Sequence, residues 1–210
     1  MAMLIVGLTG SIGMGKSTVA GWFADHGFPI GDSDAIVHAL YANGGAAVAP
    51  VAALVPDALQ GGAIDRRALS AALKAAPDLF KRLEGIVHPL VRSAQHELLA
   101  GAFAAGAKVA VLDIPLLFET GADARVDAVV VAHAPDDVQR DRVLARPGMT
   151  DETFEQIKAR QMPSAEKARH ADFVINTGVA LAETKAAVDA LADALAQRGG
   201  SAYRRHWAHA

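Results

Sequence analysis

Gly10-Ser11-Ile12-Gly13-Met14-Gly15-Lys16-Ser17 fits the spacing G-x-x-x-x-G-K-[ST] without a mismatch. Ahead of it, Met3-Leu4-Ile5-Val6-Gly7-Leu8 reads as a short buried strand. Behind it, Thr18 to His26 reads as a helix. A strand, a glycine turn and a helix start aim several backbone N–H groups at one point, and that point suits a polyphosphate. Gly10, Gly13 and Gly15 permit close backbone approach. Lys16 can reach the outer phosphates as a mobile point charge. Ser17 can offer its hydroxyl to Mg²⁺, which takes oxygen ligands and keeps several waters.

The totals bound the rest. The chain has 210 residues, enough for a real core, a net charge of −3 and 52% hydrophobic residues, many of them alanine. It has no cysteine, which excludes a disulfide framework and a thiolate metal site. Met1-Ala2-Met3-Leu4 runs straight into the first strand, and no apolar run reaches the length of a membrane span, so a cytoplasmic protein with no membrane partner is expected. The charge balance is not basic, which speaks against nucleic acid as the main partner.

Farther along, Phe28-Pro29-Ile30-Gly31 reads as a second short strand ending in Asp32-Ser33-Asp34, with Asp34 near the N-cap of a helix to Tyr41. Residues 46–62, rich in Ala, Pro and Gly, are ambiguous. Helical spacing from Asp65 to Phe103 breaks near Pro77 and at His88-Pro89. Lys108 to Asp113 reads as a strand stopped by Ile114-Pro115, and Ala128 to Ala132 as another. Pro135 opens a helix to Arg146, Pro147-Gly148 ends it, and Asp151 to Gln161 is a second helix. Asp172 to Asn176 reads as a last strand and Val179 to Arg198 as a last helix. Alternation of this kind implies an α/β fold, a parallel sheet with helices on both faces. Ligands of such sheets sit at the carboxyl ends of the strands, where the glycine loop, Asp32 and Asp34, Asp113 and Asn176 all fall.

The glycine loop by itself says nucleotide. A small-molecule kinase also needs a group that orients or deprotonates the acceptor hydroxyl, and arginines that neutralise the moving phosphoryl. Asp34 is the candidate for the first task, with Asp32 sharing it or holding a metal-bound water. A plain helix cap and a turn acid are the alternatives. Asp113 would face Mg²⁺ through water or merely end its strand. Leu116-Leu117-Phe118 would be a pocket wall or ordinary core. Arg142 and Arg146 share one helical face, and Arg160, Lys167 and Arg169 follow. These basic residues line a lid or form a solvated surface. His88 has no partner at metal-ligand spacing. The guanine-reading N-K-x-D pattern is absent, which counts against a GTP-dependent switch.

Taken together, these motifs resemble the dephospho-CoA kinase family from about Leu4 to Val188. The resemblance rests on Gly7 to Thr18, on Asp32-Ser33-Asp34, on His88-Pro89 with Arg92, and on Leu112 to Glu119. It continues through Gln139, Arg142 and Arg146, Arg160-Gln161-Met162-Pro163 with Lys167, and Ala171 to Asn176. Ser11 and Met14 depart only at variable slots of the loop, and Pro147 stands where an Asp commonly follows the lid arginine.

The resemblance implies a P-loop core at about 1–43, 107–135 and 170–198, a helical acceptor-binding region at about 44–106 and a lid at about 136–169. A loose tail at 199–210 completes one domain, monomeric or weakly oligomeric. It implies transfer of phosphate from ATP, with Mg²⁺, to the ribose 3′-hydroxyl of dephospho-CoA. Asp34 becomes the catalytic base, with Lys16 and either Arg142 or Arg146 on the phosphoryl group. Gly10, Ile12, Gly13, Met14, Gly15, Lys16, Ser17, Thr18 and Asn176 fall to ATP. Asp32, Asp34, His88, Arg92, Asp113, Pro115, Leu116, Leu117, Glu119 and Arg160 fall to the acceptor. Ser17 and, through water, Asp113 fall to the metal.

Overall fold

The computed structural model describes residues 2–208. Met1, read as the lead-in to the first strand, and His209 and Ala210, read as tail, lie outside the described residues. The chain divides into two compact units, Met1–Gly31 with Leu99–Ala210, and Asp32–Leu98. In order the elements are β1 (Leu4–Thr9), α1 (Lys16–Asp25), β2 (Ile30–Asp32), α2 (Ser33–Tyr41), α3 (Val48–Leu54), β3 (Leu59–Gln60), β4 (Ala63–Ile64), α4 (Arg66–Ala75) and α5 (Asp78–Ala104). There follow β5 (Val109–Asp113), β6 (Ala128–His133), α6 (Asp136–Leu144), α7 (Asp151–Lys158), α8 (Ser164–His170), β7 (Phe173–Asn176) and α9 (Leu181–Ala196).

A parallel sheet forms the first unit, in the order β2-β5-β1-β6-β7. Every residue of β1 and β5 is buried, as strands covered on both faces must be. One face gathers Leu4, Val6, Leu8, Val109, Val111 and Val130 with Val19 and Phe23 of α1 and Val188, Leu191 and Leu195 of α9. On the other face, Gly7 leaves room for Leu117. A Cβ there would lie 3.1 Å from a Leu117 methyl carbon. Register pairs Leu8 with Asp113 and His133 with Asn176, so the carboxyl ends of four adjacent strands open on one side.

In the second unit, Tyr41, Val51, Val55, Ile64, Leu69, Leu83 and Val87 form a core of their own. Burial there raises the pKa of the Tyr41 hydroxyl, with the charge of Arg66 working against it. Because Tyr41 and its neighbours join this core, the division falls at Asp32, ahead of the expected 44. The ambiguous stretch resolves into α3, a short 3₁₀ turn at Pro56–Ala58 and the β3–β4 hairpin. Asp65 caps α4 as anticipated, accepting from Ala68 N–H at 2.6 Å.

Three expectations give way. α5 runs unbroken through Pro89. The missing N–H is a local loss of order 3 kcal/mol, and apolar packing of Leu83, Val87, Leu90 and Val91 on either side of it outweighs that loss. A separate helix, α8, follows α7 where no element was assigned. The tail is packed, not loose: Ser201 and Ala202 donate backbone N–H groups to Asp127 Oδ1 at 2.7 and 2.8 Å. Trp207 is buried, its Nε1–H given to Arg125 O at 2.9 Å, and Tyr203 stacks on Phe103.

Candidate active site

The glycine loop leaves β1 at Thr9 and enters α1 at Lys16, as the spacing requires. Gly13 and Gly15 adopt φ of 78° and 76°, where a side chain is strained. A Cβ on Gly13 would also lie 2.5 Å from Val143 Cγ2 of α6. Met14 is a buried anchor, its sulfur accepting from Ala134 N–H at 3.1 Å. The Ile12 peptide is gripped on both sides. Its N–H goes to Gln161 Oε1 at 3.0 Å, and its carbonyl accepts from Gln139 Nε2 at 2.7 Å. The Ile12 N–H, assigned to phosphate from sequence, is therefore already committed to a side chain. Ser17 and Thr18 stand exposed at the start of α1.

Lys16 Nζ bonds to Asp113 Oδ1, joining the loop to the end of β5. Asp113 is buried, so a cation beside it offsets much of the cost of its charge. Beyond it, the Pro115 carbonyl accepts from Thr9 Oγ1 at 3.0 Å and from Lys167 Nζ at 2.8 Å. Lys167, from α8, is fully buried and pairs with Glu119 at 2.9 Å. Burial draws its pKa down from 10.5. The bond to Glu119 opposes that, and the charge of Lys16 adds to it. Glu119 also accepts from Met162 N–H at 2.8 Å. The carboxylate assigned to the acceptor is thus spent on holding the segment between α7 and α8. Leu117 is likewise corrected from acceptor wall to core, since a side chain with no exposed surface touches no ligand. Leu116 stays 39% exposed, and Arg160 is exposed.

A cavity of about 320 Å³ flanks the loop, lined in part by Gly15, Thr18, Trp22, Arg142, Arg146 and Thr177. Arg142 donates to the Thr177 carbonyl at 2.7 Å and to its hydroxyl at 3.2 Å. The Thr177 hydroxyl donates to Met14 O at 2.8 Å. Arg146 is exposed, and its side chain makes no hydrogen bond or ion pair among the described residues. Arg140 turns away to Asp151 and Glu155 of α7. Asn176 folds its side chain back onto Gly178 N–H at 2.8 Å, and its neighbour Thr177 meets the loop instead. Thr177, Gln139, Gln161 and Lys167 carry bonds to which the motifs assigned no role. The signal for Thr177 was a small hydroxyl just past a strand end. For the glutamines it was uncharged amides at either end of the lid.

In the second unit, Asp32 is the cap of α2, accepting from the N–H groups of Asp34 and Ala35 at 2.8 and 3.1 Å. Asp34 therefore sits in the first turn with its carboxylate exposed, rather than capping. Buried Gln95 donates to Ser33 Oγ at 3.1 Å, fixing the start of α2 against α5 one turn beyond Arg92. His88 and Arg92, four apart on α5, are both exposed.

The family model for dephospho-CoA kinase (CoaE) matches residues 4–183. The dephospho-CoA kinase of Rhizobium etli is 54% identical over 186 residues, 89% of this chain and 91% of that one. Among solved structures, the Thermus thermophilus protein TT1252 superposes with a TM-score of 0.81 at 35% identity, over 93% of this chain and 99% of its own. Dephospho-CoA kinase from Campylobacter jejuni does so with a TM-score of 0.69 at 25% identity, over 92% and 97%.

Proposed function

The chain belongs to the dephospho-CoA kinase family, and on that premise we propose that it transfers the γ-phosphoryl group of ATP to the ribose 3′-hydroxyl of dephospho-CoA. The products are coenzyme A and ADP, in the last step of coenzyme A synthesis. The observation that carries the reading is the glycine loop with its Lys16 ammonium against Asp113, at the carboxyl ends of two neighbouring parallel strands.

Phosphoryl transfer asks little covalent chemistry of a protein, so positioning and charge neutralisation dominate. The amides of Gly13, Gly15, Lys16 and Ser17 and the Lys16 ammonium receive the phosphates. Asp34 accepts the 3′-hydroxyl proton as the new O–P bond forms, and the β–γ bridging oxygen leaves with the electron pair of the bond that breaks. His88 and Arg92 are read as contacts for the anionic acceptor, and Asp32, Pro115, Leu116 and Arg160 are given the same role. Arg142, held by Thr177, walls the nucleotide cavity, whereas unpaired Arg146 is the arginine read as moving onto the transferring group. Closure of the segment from α6 to α8 would exclude water and limit idle hydrolysis of ATP.

One serine hydroxyl and one carboxylate fit a hydrated Mg²⁺ that arrives with ATP. No cluster of three or more His, Cys, Asp or Glu side chains suited to a metal occurs among the described residues. Ser17 and, through water, Asp113 would hold it, and bound there it would neutralise charge on the phosphates. No helix among the described residues is long and apolar enough to cross a membrane. The reading has the chain act in the cytoplasm on these two substrates.

The test is ADP release over a panel of acceptors, with the phosphorylated product identified by mass. Turnover confined to dephospho-CoA, with a gain of one phosphate on the ribose, is expected. Turnover of nucleoside monophosphates or small polyols in its place would refute the assignment.

A further inference from the structure

The Ile12 peptide joins the glycine loop to two separate parts of the segment that follows β6. Gln139 reaches it from α6, and Gln161 reaches it from the stretch between α7 and α8. Gln139 is buried, and its Oε1 finds no hydrogen-bond partner among the described residues. A buried amide that leaves its oxygen unsatisfied is costly. Its orientation is set by the Ile12 carbonyl, because the flipped amide would face oxygen with oxygen. Gln161 presents the complementary atom, an oxygen, to the N–H of the same residue. Its own position is fixed next door, where Met162 N–H is held by Glu119 and Glu119 by Lys167.

We propose that Gln161 is a positioning residue for phosphoryl transfer, an inference that rests on the reading of the loop as the ATP phosphate site. By engaging the Ile12 N–H, Gln161 pins the first half of the loop and leaves the amides of Gly13, Gly15, Lys16 and Ser17 to receive phosphate. It does this with a neutral oxygen. A carboxylate would make the same hydrogen bond, but it would set a negative charge near a polyanion at a part-exposed position, where the repulsion is felt and salt can screen it. Glutamine therefore meets both demands of the position, an acceptor for the loop and no charge for the ligand.

Two variants separate positioning from plain structural support. Gln161→Met keeps the length and removes the acceptor. Gln161→Glu keeps the acceptor and adds the charge. The measurements are ATP affinity by calorimetry, which needs no turnover, then kcat and KM for each substrate, and thermal unfolding of each full-length protein. For Gln161→Met, kcat is expected to fall at least tenfold with KM for dephospho-CoA within twofold of the parent. For Gln161→Glu, unfolding is expected to match the parent while ATP binding weakens at least tenfold, with the deficit shrinking as salt is raised. A purely structural hydrogen bond predicts the reverse, full rescue by Gln161→Glu. That rescue would overturn the proposal, as would Gln161→Met with parental kcat and ATP affinity. If Gln161→Met does not fold, the salt-dependent binding of Gln161→Glu decides alone. A parent that binds ATP but does not phosphorylate dephospho-CoA would refute the acceptor assignment and leave this inference standing.

Discussion

Replacing Lys167 by methionine tests the charge network beneath the loop. The ammonium has no exposed surface, while the Glu119 side chain it pairs with at 2.9 Å is 19% exposed. Stripping one partner from a fully buried pair costs about 3–5 kcal/mol, because the other charge is stranded. Two features of this site lower the figure. Glu119 can be rehydrated through its exposed edge and retains the Met162 N–H. Burial also outweighs the pull of Glu119 on Lys167, so the ammonium carries a desolvation cost that methionine does not. The expected loss is about 2 kcal/mol, or roughly 4–8 °C in Tm for a chain of this size. Lys167→Met combined with Glu119→Gln removes both charges and is expected to recover at least about half of that, a coupling of at least about 1 kcal/mol on top of the loss from Glu119→Gln alone.

The pH profile of the same pair carries a sign. The lysine pKa is lower in the folded chain than the ordinary 10.5. Between those two values the unfolded chain binds the extra proton, so the stability of the parent relative to Lys167→Met rises with pH in that window and is flat below it. Tyr41, whose pKa is raised by burial, works in the opposite sense above pH 10 but is common to both proteins and cancels in the difference. Urea unfolding of the four proteins at neutral pH, with the parent and Lys167→Met repeated up to pH 10, measures all of this. A Lys167→Met protein at least as stable as the parent at neutral pH, or a double variant whose loss is the sum of the single losses, would refute the reasoning.

Asp34→Asn keeps the shape of the first turn of α2 and removes the base. It is expected to lose ~10² to 10⁴ in kcat with ATP affinity unchanged, checked by single-turnover kinetics beside calorimetry. Arg146→Ala is expected to lose on the order of 10³ in kcat with little change in KM for ATP. Arg142→Ala breaks the tie to Thr177 and opens the cavity wall, and should appear mainly in KM for ATP. An equal effect of the two on kcat would abolish the division of labour. Trp207→Ala leaves a large void under the tail and is expected to cost about 3–5 kcal/mol by urea unfolding, with kcat unaffected in the fraction that folds.

Local chemistry was legible in the sequence and pairing through space was not. The glycine loop could be placed because its spacing is itself the constraint, and the alternation of apolar strands with helices was enough to imply a parallel sheet covered on both faces, though not its strand order. Asp65 was recognised as a cap because a cap speaks to residues three positions away. Pro89 misled for the complementary reason. Its local penalty is real, but what overrides it is a cluster drawn from α2, α3 and α4. The tail read as polar and loose, yet Asp127, some 75 positions upstream, holds it. Lys167 read as a residue of a lid or of a solvated surface, since nothing in its neighbourhood along the chain announces Glu119. The second-unit acids were found by type and strand end. Even so, the cap fell on Asp32 and not Asp34, a shift of two residues that changes which carboxylate is available for chemistry.

That shift bears on why two acids stand together at Asp32-Ser33-Asp34. A carboxylate oxygen bonded to two backbone N–H groups at a helix start is held in place by the cap and already has its partners. Asp32 is in that position, with bonds at 2.8 and 3.1 Å. Asp34 has its backbone fixed by Asp32 but keeps its own carboxylate exposed, so one acid sets the geometry and the other is left to accept a proton. The same economy recurs at the phosphate side. Asp113 holds Lys16 at the loop, and on the proposed function a phosphate oxygen would replace it as partner. The ammonium is thus exchanged between anions and need not be gathered from solvent, which keeps the cost of ordering a long side chain out of the binding step. Asp113→Asn removes that first partner without changing shape, and on this argument slows capture of ATP more than it weakens the bound state. An unchanged association rate for ATP, with the whole loss falling on faster dissociation, would contradict the exchange.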